Sequence, residues 1–507
     1  MKITDLIKKI KTTKELIRNP ELIIEGISDD SRKVKQNHLF VAIKGFETDG
    51  HNYLKQAVEN GAKFIIAEDE SRIPSGVDYC VVENTRNIVG ILANEFYDNP
   101  SHKVKVIGVT GTNGKTTTTY LLESIINESN SSAGVIGTIE YRYGSAKKKA
   151  LNTTPSAIEL VTMLSEMVKA KVGYAIIEVS SHSIDQKRIA GIQFVEGIFT
   201  NLTQDHLDYH KTIDEYGKVK KSFFIEHLWK QKKLGWGEDG LAILNADDPL
   251  TQKIIQDGDG SYVTYSVLKE ADFYLVKSCC GYNKNELLIR HDGKEYTITS
   301  KLIGNFNLYN VLTSFSACVS LGLPVDKVIQ GIEKLEIVPG RFERVDEGQD
   351  FLVIVDYSHT PDSLTCAIAS GRDAIRCVST KGRVITIFGC GGDRDKLKRP
   401  IMGKIAGESS DYCIITNDNP RTEDPEDIIK AILVGIKESG LSEANYEVIT
   451  DREEAIRRGI EIAKSGDVLL IAGKGHENYQ IIGKKKFDFD DKEIARKYLK
   501  KLISNRI

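Results

Sequence analysis

Short apolar runs closed by glycine or polar residues, each followed by a segment of helical spacing, recur along this chain. Within residues 1–100 the runs are HLFVAIKG (38–45), AKFIIAED (62–69) and VDYCVVEN (77–84), with the helix-like HNYLKQAVENGA between the first two. That pattern predicts a small α/β unit. Near residue 103 the runs become more fully apolar: KVKVIGVT leads into GTNGKTTTT, GYAIIEV into SSHS, EGIFTNL into TQDH, and GLAIL into NADDP. Unbroken apolar runs alternating with helices predict a parallel sheet covered on both faces. From 262 to 303 the alternation of segments such as NELLIRHDGKEYTITSKL predicts antiparallel strands, and NLYNVLTSFSACVSLGL a helix after them.

A Pro-Gly break in EIVPGRFERV (336–345) marks a further boundary. Beyond it FLVIVDYSH, RVITIFGCGG, DYCIITNDNP and DVLLIAGKGH alternate with helices, which predicts a second doubly wound sheet. The fold class is therefore α/β in three domains: a small α/β unit over 1–100, a P-loop-type parallel-sheet domain over 101–337, and a Rossmann-like domain over 338–507. Ligands of such sheets sit beyond the carboxyl ends of the strands. Every unusual motif of the chain falls there.

Composition narrows the partners. A chain of 507 residues exceeds a single core. Its formal net charge of -3 argues against a nucleic-acid or membrane-surface protein, both of which need a basic face. MKITDLIKKIKTTK has charges throughout and no apolar core, so no secretory signal is expected, and no apolar run is long enough to span a membrane. The eight cysteines form no CxxC pair. Reduced thiols in a cytoplasmic protein are the expectation.

The chemistry begins at VIGVTGTNGKTTTTY (106–120). A strict P-loop reads G-x-x-x-x-G-K-[ST], and its first glycine would fall at Val109. The strand before and the helix after nevertheless supply the context a phosphate loop needs. Backbone N–H groups can converge there, beside a positive helix N-terminus. Lys115 would neutralise the β- and γ-phosphates and Thr116 offer a hydroxyl to Mg2+. A nucleotide switch of the GTPase kind lacks its guanine-reading motif; the nearest string, NKNE at 283–286, ends in Glu. Glu178 closes a strand, where an acid can hold Mg2+ opposite the loop. Asp205, His206, Asp208 and His210 crowd into TNLTQDHLDYH, which reads either as a zinc cluster or as helix-capping acids with surface histidines. Arg394 and Arg421 lie on strand-end loops of one sheet, where a guanidinium fork suits carboxylate or phosphate. GKGHENYQ (473–480) ends another strand of that sheet.

The strings TGTNGKTTTT, NTTP, EVSSH, FTNLTQDHLDYH, NADDP, GNFNLYNVL, PGRFERV, VDYSHTPDSL, FGCGGDRD, TNDNPRTEDP and AGKGHENYQ, in this order, resemble the Mur ligase family of peptidoglycan synthesis. The likeness spans nearly the whole chain and is greatest to members that add the third amino acid of the stem peptide. It implies that ATP phosphorylates the γ-carboxylate of D-glutamate in UDP-MurNAc-L-Ala-D-Glu. The amine of the incoming amino acid then attacks the acyl phosphate.

By the same resemblance Lys115, Glu178, His206 and Lys220 are catalytic. The loop Gly111, Thr112, Asn113, Gly114, Lys115, Thr116 and Thr117 holds ATP, with adenine near Asn307 and Asn310, Arg341 at the phosphates and Asp356 at the ribose. Thr116, Glu178, His206 and a carbamylated Lys220, in the family's Y-x-x-x-K stretch, hold Mg2+. The UDP-sugar dipeptide lies on Asp29 and Ser31, on Phe46, Glu47 and Thr48, on Asn152, Thr153 and Thr154, and on Ser180, Gln186 and Arg188. The incoming amino acid lies on Arg394, Asp418, Asn419, Pro420, Arg421, Gly473 and Glu477. The DNPR form implies meso-diaminopimelate, whose second carboxylate Arg421 would grip, with L-lysine the alternative and folylpolyglutamate synthase the nearest rival activity. A monomer with no nucleic-acid partner and no membrane span is expected. Two departures from the family stand out: Ser358 replaces the usual Ala, and LWKQKKLGWGEDG (228–240) reads as an enlarged solvated loop.

Overall fold

A computed structural model describes residues 1–45, 48–378 and 381–504, so the expectations for Phe46 and Glu47 lie outside the described residues. Three sheets organise the chain. The first has five strands in the order Lys14–Leu16, Asp78–Val81, Ala62–Ala67, His38–Val41, Gly26–Ser28, parallel except for the first. Its three inner strands are the predicted ones. The two edges are three-residue strands, too short to carry a period. The predicted helix divides into a 3-10 turn, Gly50–Tyr53, and a helix, Leu54–Glu59.

The second sheet has eleven strands. Its parallel centre runs Tyr262–Ser266, Leu241–Asn245, Glu196–Phe199, Lys105–Thr110, Tyr174–Glu178, Ala133–Ile136. Strands Glu140–Tyr143 and Ala146–Lys149 extend one side antiparallel. Phe273–Cys280, Asn285–His291 and Lys294–Ser300 extend the other. This corrects the antiparallel expectation for 262–303, because Tyr262–Ser266 pairs parallel with Leu241–Asn245 and meets the start of Phe273–Cys280 in parallel too. YVTYS reads alike in either direction. The crossover helix Pro249–Asp257 sets the direction by returning the chain to the same end of the sheet.

The third sheet follows the expectation of a doubly wound layer. Its order is Glu343–Val345, Leu352–Asp356, Val468–Ala472, Val384–Phe388, Tyr412–Ile415, Tyr446–Val448, with only the first strand antiparallel. A hairpin, Tyr479–Ile482 with Lys485–Asp488, lies beside it.

The core explains why the phosphate loop stands where it does. Ile107 and Val109 pack with Ile176 and Ile198 against Leu121, Leu122 and Ile125 of the helix Lys115–Glu128, all fully buried. Each such side chain contributes about 1.5–3 kcal/mol. That burial compensates for the threonines 116–119, which are weak helix formers but are buried here. The strand Lys105–Thr110 thereby ends between its neighbours Tyr174–Glu178 and Glu196–Phe199, and the loop opens at the carboxyl ends of these central strands.

Residues 228–240 are not the solvated loop expected. Gln231 is fully buried, donating to Phe194 O (2.8 Å), Leu228 O (3.0 Å) and Glu238 O (3.1 Å), and His102 bonds Trp236 O at 2.8 Å. Lys232 and Lys233 are exposed, but the Gln231 side chain ties the segment to the backbone of Phe194, just before the strand Glu196–Phe199. Among the described residues no helix is long and apolar enough to cross a membrane.

Candidate active site

Two glycines shape the phosphate loop. Gly111 has φ +151° and Gly114 φ +87°. A Cβ on Gly111 would lie 1.8 Å from Thr200 Oγ1, and one on Gly114 2.5 Å from Asn310 Oδ1. The loop is held from outside: Asn201 O accepts from Thr112 N at 2.8 Å, and Asn201 Oδ1 from Asn113 N at 2.9 Å. Lys115 Nζ folds back onto the carbonyls of Gly111 (2.9 Å) and Thr112 (2.8 Å). Burial lowers its pKa against the pull of Glu178 and Asp205.

Glu178 is almost fully buried. It accepts from Thr116 Oγ1 at 3.0 Å, and from Thr138 N and Thr138 Oγ1, both at 2.9 Å. Carboxylate and hydroxyl oxygens so placed fit Mg2+, which takes hard donors and keeps several waters. The zinc reading of TNLTQDHLDYH finds no such set: among the described residues no group of three or more His, Cys, Asp or Glu could hold a metal. His206 has φ +55° and stands edge-on to His182, with ring centres 5.0 Å apart. Burial moves its pKa down to about 4, with Asp205 opposing.

Lys220 is 1% exposed, while Lys218 on the same helix is open to solvent. Its Nζ donates to Gly111 O at 2.8 Å and lies 4.5 Å from the centre of the Tyr216 ring. Burial, reinforced by Lys115, holds its pKa well below that of an ordinary lysine. A cavity of about 160 Å³ joins Gly111–Thr117, Glu178, His206, Lys220 and Arg341. Sequence reasoning missed Thr138, Tyr216, Tyr357 and His359 in its walls. Tyr357 and His359 follow a strand end and could have been found by that signal; Thr138 has no motif around it.

The third sheet reaches into this cavity. Arg341 Nη2 lies 3.2 Å from Thr116 Oγ1, with its guanidinium 4.6 Å from the Tyr357 ring centre. Asn113 Nδ2 donates to Asp362 Oδ2 at 2.7 Å. Next to it a cavity of about 230 Å³ is lined by Ile303, Asn307, Arg341 and Phe342. Asn307 Nδ2 caps Ile303 O (2.7 Å) and Asn307 Oδ1 accepts from Asn310 Nδ2 (2.8 Å). Asp356 is turned inward, accepting from Phe342 N at 2.6 Å and from the Ser358 hydroxyl, and burial raises its pKa. Ser358 therefore does something an alanine could not: it gives that buried carboxyl a donor.

Of the residues expected at the UDP-sugar dipeptide, those at 152–154, 180, 186 and 188 converge, while Thr48, whose hydroxyl pairs with Tyr53 OH at 3.1 Å, and Ser31 bond within the first domain. Thr154 Oγ1 donates to Glu178 O (2.6 Å) and accepts from Ser180 N (3.1 Å), while Arg188 donates to Thr154 O (2.8 Å) and to Gln186 Oε1. Thr153 Oγ1 is 3.2 Å from Thr138 Oγ1, and Asn152 O accepts from Tyr141 OH. Asp29 faces Ser156 from the first sheet, its pKa raised by burial, and Ser31 donates to Gln56 Oε1 at 2.7 Å.

A second cluster lies on the third sheet. Asn419 Nδ2 donates to Glu477 Oε2 at 2.8 Å. Arg421, at φ +52°, donates to Gly392 O at 2.8 Å. Pro420 packs its carbonyl against Gly392, and Gly473 leaves room for the carboxylate of the buried Asp418. Arg394 stays at the exposed rim, bonding only its neighbour's carbonyl, Asp393 O, at 3.1 Å among the contacts described. A cavity of about 370 Å³ between this cluster and the hairpin at 140–149 is lined by Thr138, Lys149, Glu477 and Tyr479.

A phosphate loop with an oxygen-donor pair, faced by a Rossmann-like sheet that carries opposed charges, defines an enzyme of the nucleotide-dependent ligase build. The chain belongs to the Mur ligase family. It matches the Mur ligase middle domain over residues 109–318, the Mur ligase glutamate ligase domain over 340–475 and the Mur ligase family catalytic domain over 23–97. It is 42% identical over 485 residues to a UDP-N-acetylmuramoyl-L-alanyl-D-glutamate--2,6-diaminopimelate ligase of Clostridium acetobutylicum, covering 95% of each chain. It is 41% identical to the protein of the same name from Alkaliphilus metalliredigens, covering 99% of this chain and 98% of that one. Among solved structures, one of a UDP-N-acetylmuramoyl-L-alanyl-D-glutamate--2,6-diaminopimelate ligase superposes with a TM-score of 0.68 at 29% identity over 99% of both chains.

Proposed function

We propose that the protein joins meso-2,6-diaminopimelate to the γ-carboxylate of D-glutamate in UDP-MurNAc-L-Ala-D-Glu, in cytoplasmic precursor synthesis and as a monomer. ATP supplies the energy through an acyl phosphate. The supporting observation is that Thr138 lines both the phosphate-loop cavity and the cavity holding Glu477. An activated carboxyl in the first can meet an amine from the second.

In this reading the carboxylate oxygen attacks the γ-phosphorus of ATP in line, and ADP departs. The amine nitrogen then attacks the acyl carbon, and the tetrahedral adduct expels phosphate as the amine loses a proton. Lys115 swings from its loop carbonyls onto the transferring phosphoryl group, with Arg341 beside it, so that charge is screened as two anions approach. Mg2+ on Thr116 and Glu178, with His206 and carbamylated Lys220 nearby, would neutralise the phosphate oxygens. The low pKa of Lys220 favours the neutral amine, the form that combines with CO2. Asn307 and Asn310 face the adenine and Asp356 the ribose. Asp29, Ser31, Thr48, Thr153, Thr154, Ser180, Gln186 and Arg188 face the UDP-sugar dipeptide. Arg421 takes the distal carboxylate of diaminopimelate and Glu477 its ammonium, a pairing L-lysine would leave half made.

The test is an assay of ADP and tripeptide formation with ATP, Mg2+, UDP-MurNAc-L-Ala-D-Glu and meso-diaminopimelate, repeated with L-lysine. Release of ADP that depends on diaminopimelate and is much weaker with L-lysine is expected. No amino-acid-dependent release overturns the reading.

A further inference from the structure

Lys474 has no role in the scheme above, yet it is completely buried at the end of the strand Val468–Ala472, within the diaminopimelate pocket. Its ammonium donates to Asn419 Oδ1 and to Glu477 Oε2, each at 3.3 Å, and to Tyr479 O at 2.5 Å. A buried ammonium needs such a full set of acceptors. Asn419 Oδ1 also accepts from Ile481 N at 2.9 Å, which fixes the amide so that its Nδ2 points at the same Glu477 oxygen. Oε2 of Glu477 is thus taken by two donors. Among the described residues Oε1 accepts only a long bond from the Tyr479 hydroxyl, at 3.5 Å.

We propose that Lys474 is a positioning and selectivity residue for the amino-acid substrate: by occupying Glu477 Oε2 together with Asn419, it commits Oε1 to the substrate's distal ammonium. The inference rests on the amino-acid reading of this pocket. Charge supports it. Asp418 and Glu477 are offset by Arg421 and Lys474, so this inner group of four is neutral before substrate arrives, with Arg394 outside it at the exposed rim. A distal end bearing both ammonium and carboxylate preserves that neutrality. A lone ammonium adds an uncompensated charge in a partly buried site, which is costly. Removing the Lys474 ammonium leaves the pocket with a net negative charge and favours the lone ammonium.

Lys474→Met therefore raises KM for meso-diaminopimelate by about tenfold or more, while KM for ATP and for the UDP-sugar dipeptide stays within about twofold. The ratio of kcat/KM for meso-diaminopimelate over L-lysine falls by at least about fivefold. In a Glu477→Gln background the same substitution changes KM by less than about twofold, because it acts through that carboxylate. Lys474→Gln, which is uncharged but keeps an NH2 group to donate, serves the same comparison if thermal unfolding shows the methionine variant misfolded. A parallel rise in all three KM values, an unchanged selectivity ratio, or the full effect persisting in the Glu477→Gln background overturns the proposal. A wild-type protein with no amino-acid-dependent turnover instead refutes the ligase reading on which it rests.

Discussion

Gly137→Ala tests the geometry of the Glu178 carboxylate without touching a group expected to bind a ligand. A methyl at Gly137 would lie 2.3 Å from Glu178 Oε1, 3.0 Å from Cδ and 3.1 Å from Cγ. Ordinary contact needs about 3.5 Å, so the carboxylate must retreat by roughly 1 Å. Retreat breaks the three hydrogen bonds from Thr116 and Thr138. Each bond to a charged acceptor is worth about 1.5–3 kcal/mol, but water from the adjacent cavity replaces part of that. The net loss is about 2–3 kcal/mol, a fall in unfolding midpoint of roughly 5–10 °C for a domain of this size. Catalysis should suffer more, because a displacement of about 1 Å in a positioned group costs about a hundredfold. The assay is ADP release against Mg2+ concentration, with thermal unfolding alongside. We expect a folded protein, kcat down by about two orders of magnitude and a higher Mg2+ requirement. A kcat within about threefold of wild type with unchanged Mg2+ dependence would refute the role given to Glu178.

Lys220→Ala should abolish turnover, with bicarbonate unable to restore it; wild-type-like activity would refute the carbamate assignment. Arg421→Asn, chosen because asparagine tolerates the left-handed backbone at φ +52°, should raise KM for meso-diaminopimelate by about tenfold to a hundredfold and leave KM for ATP unchanged. Equal loss of both would point to misfolding instead. Stability should fall on acidification through His227, which is buried with both ring nitrogens unpartnered and its pKa pushed down to about 3 by burial. The unfolded chain takes up that proton below about pH 6.5 and the folded one does not, so the contribution is intact above that pH and lost toward pH 3, by about 2 kcal/mol at pH 5. His227→Phe should flatten the unfolding midpoint between pH 7 and 5; an unchanged slope counts against this assignment.

Much of this architecture is legible in residue order because strand-loop-helix punctuation is local. Apolar runs ending in GTNGKTT, EVSSH and NDNPR mark both sheets and place their ligand ends on one side. Strand direction in 262–266 is not local; it depends on the helix Pro249–Asp257 that returns the chain. Nor is burial of a polar side chain. Lys220 lies one helical turn from Tyr216 on the inward face, but among Lys218, Lys220 and Lys221 nothing in the sequence alone marks the buried one. Gln231 and Lys474 are missed for the same reason: each is polar, and each is interior only because distant carbonyls surround it. Thr138 escapes because its value comes from standing between two cavities that the sheet brings together.

The carbonyl of Gly111 accepts from Lys115 at 2.9 Å and from Lys220 at 2.8 Å. Two ammonium groups crowded onto one oxygen, away from bulk water, repel one another, and burial discourages the charged form of each. At Lys220 the neighbouring Lys115 thus adds to burial in disfavouring the charged form. On the proposed function, a triphosphate that drew Lys115 away would remove that contribution, coupling the nucleotide loop to a buried amine 105 positions further along the chain.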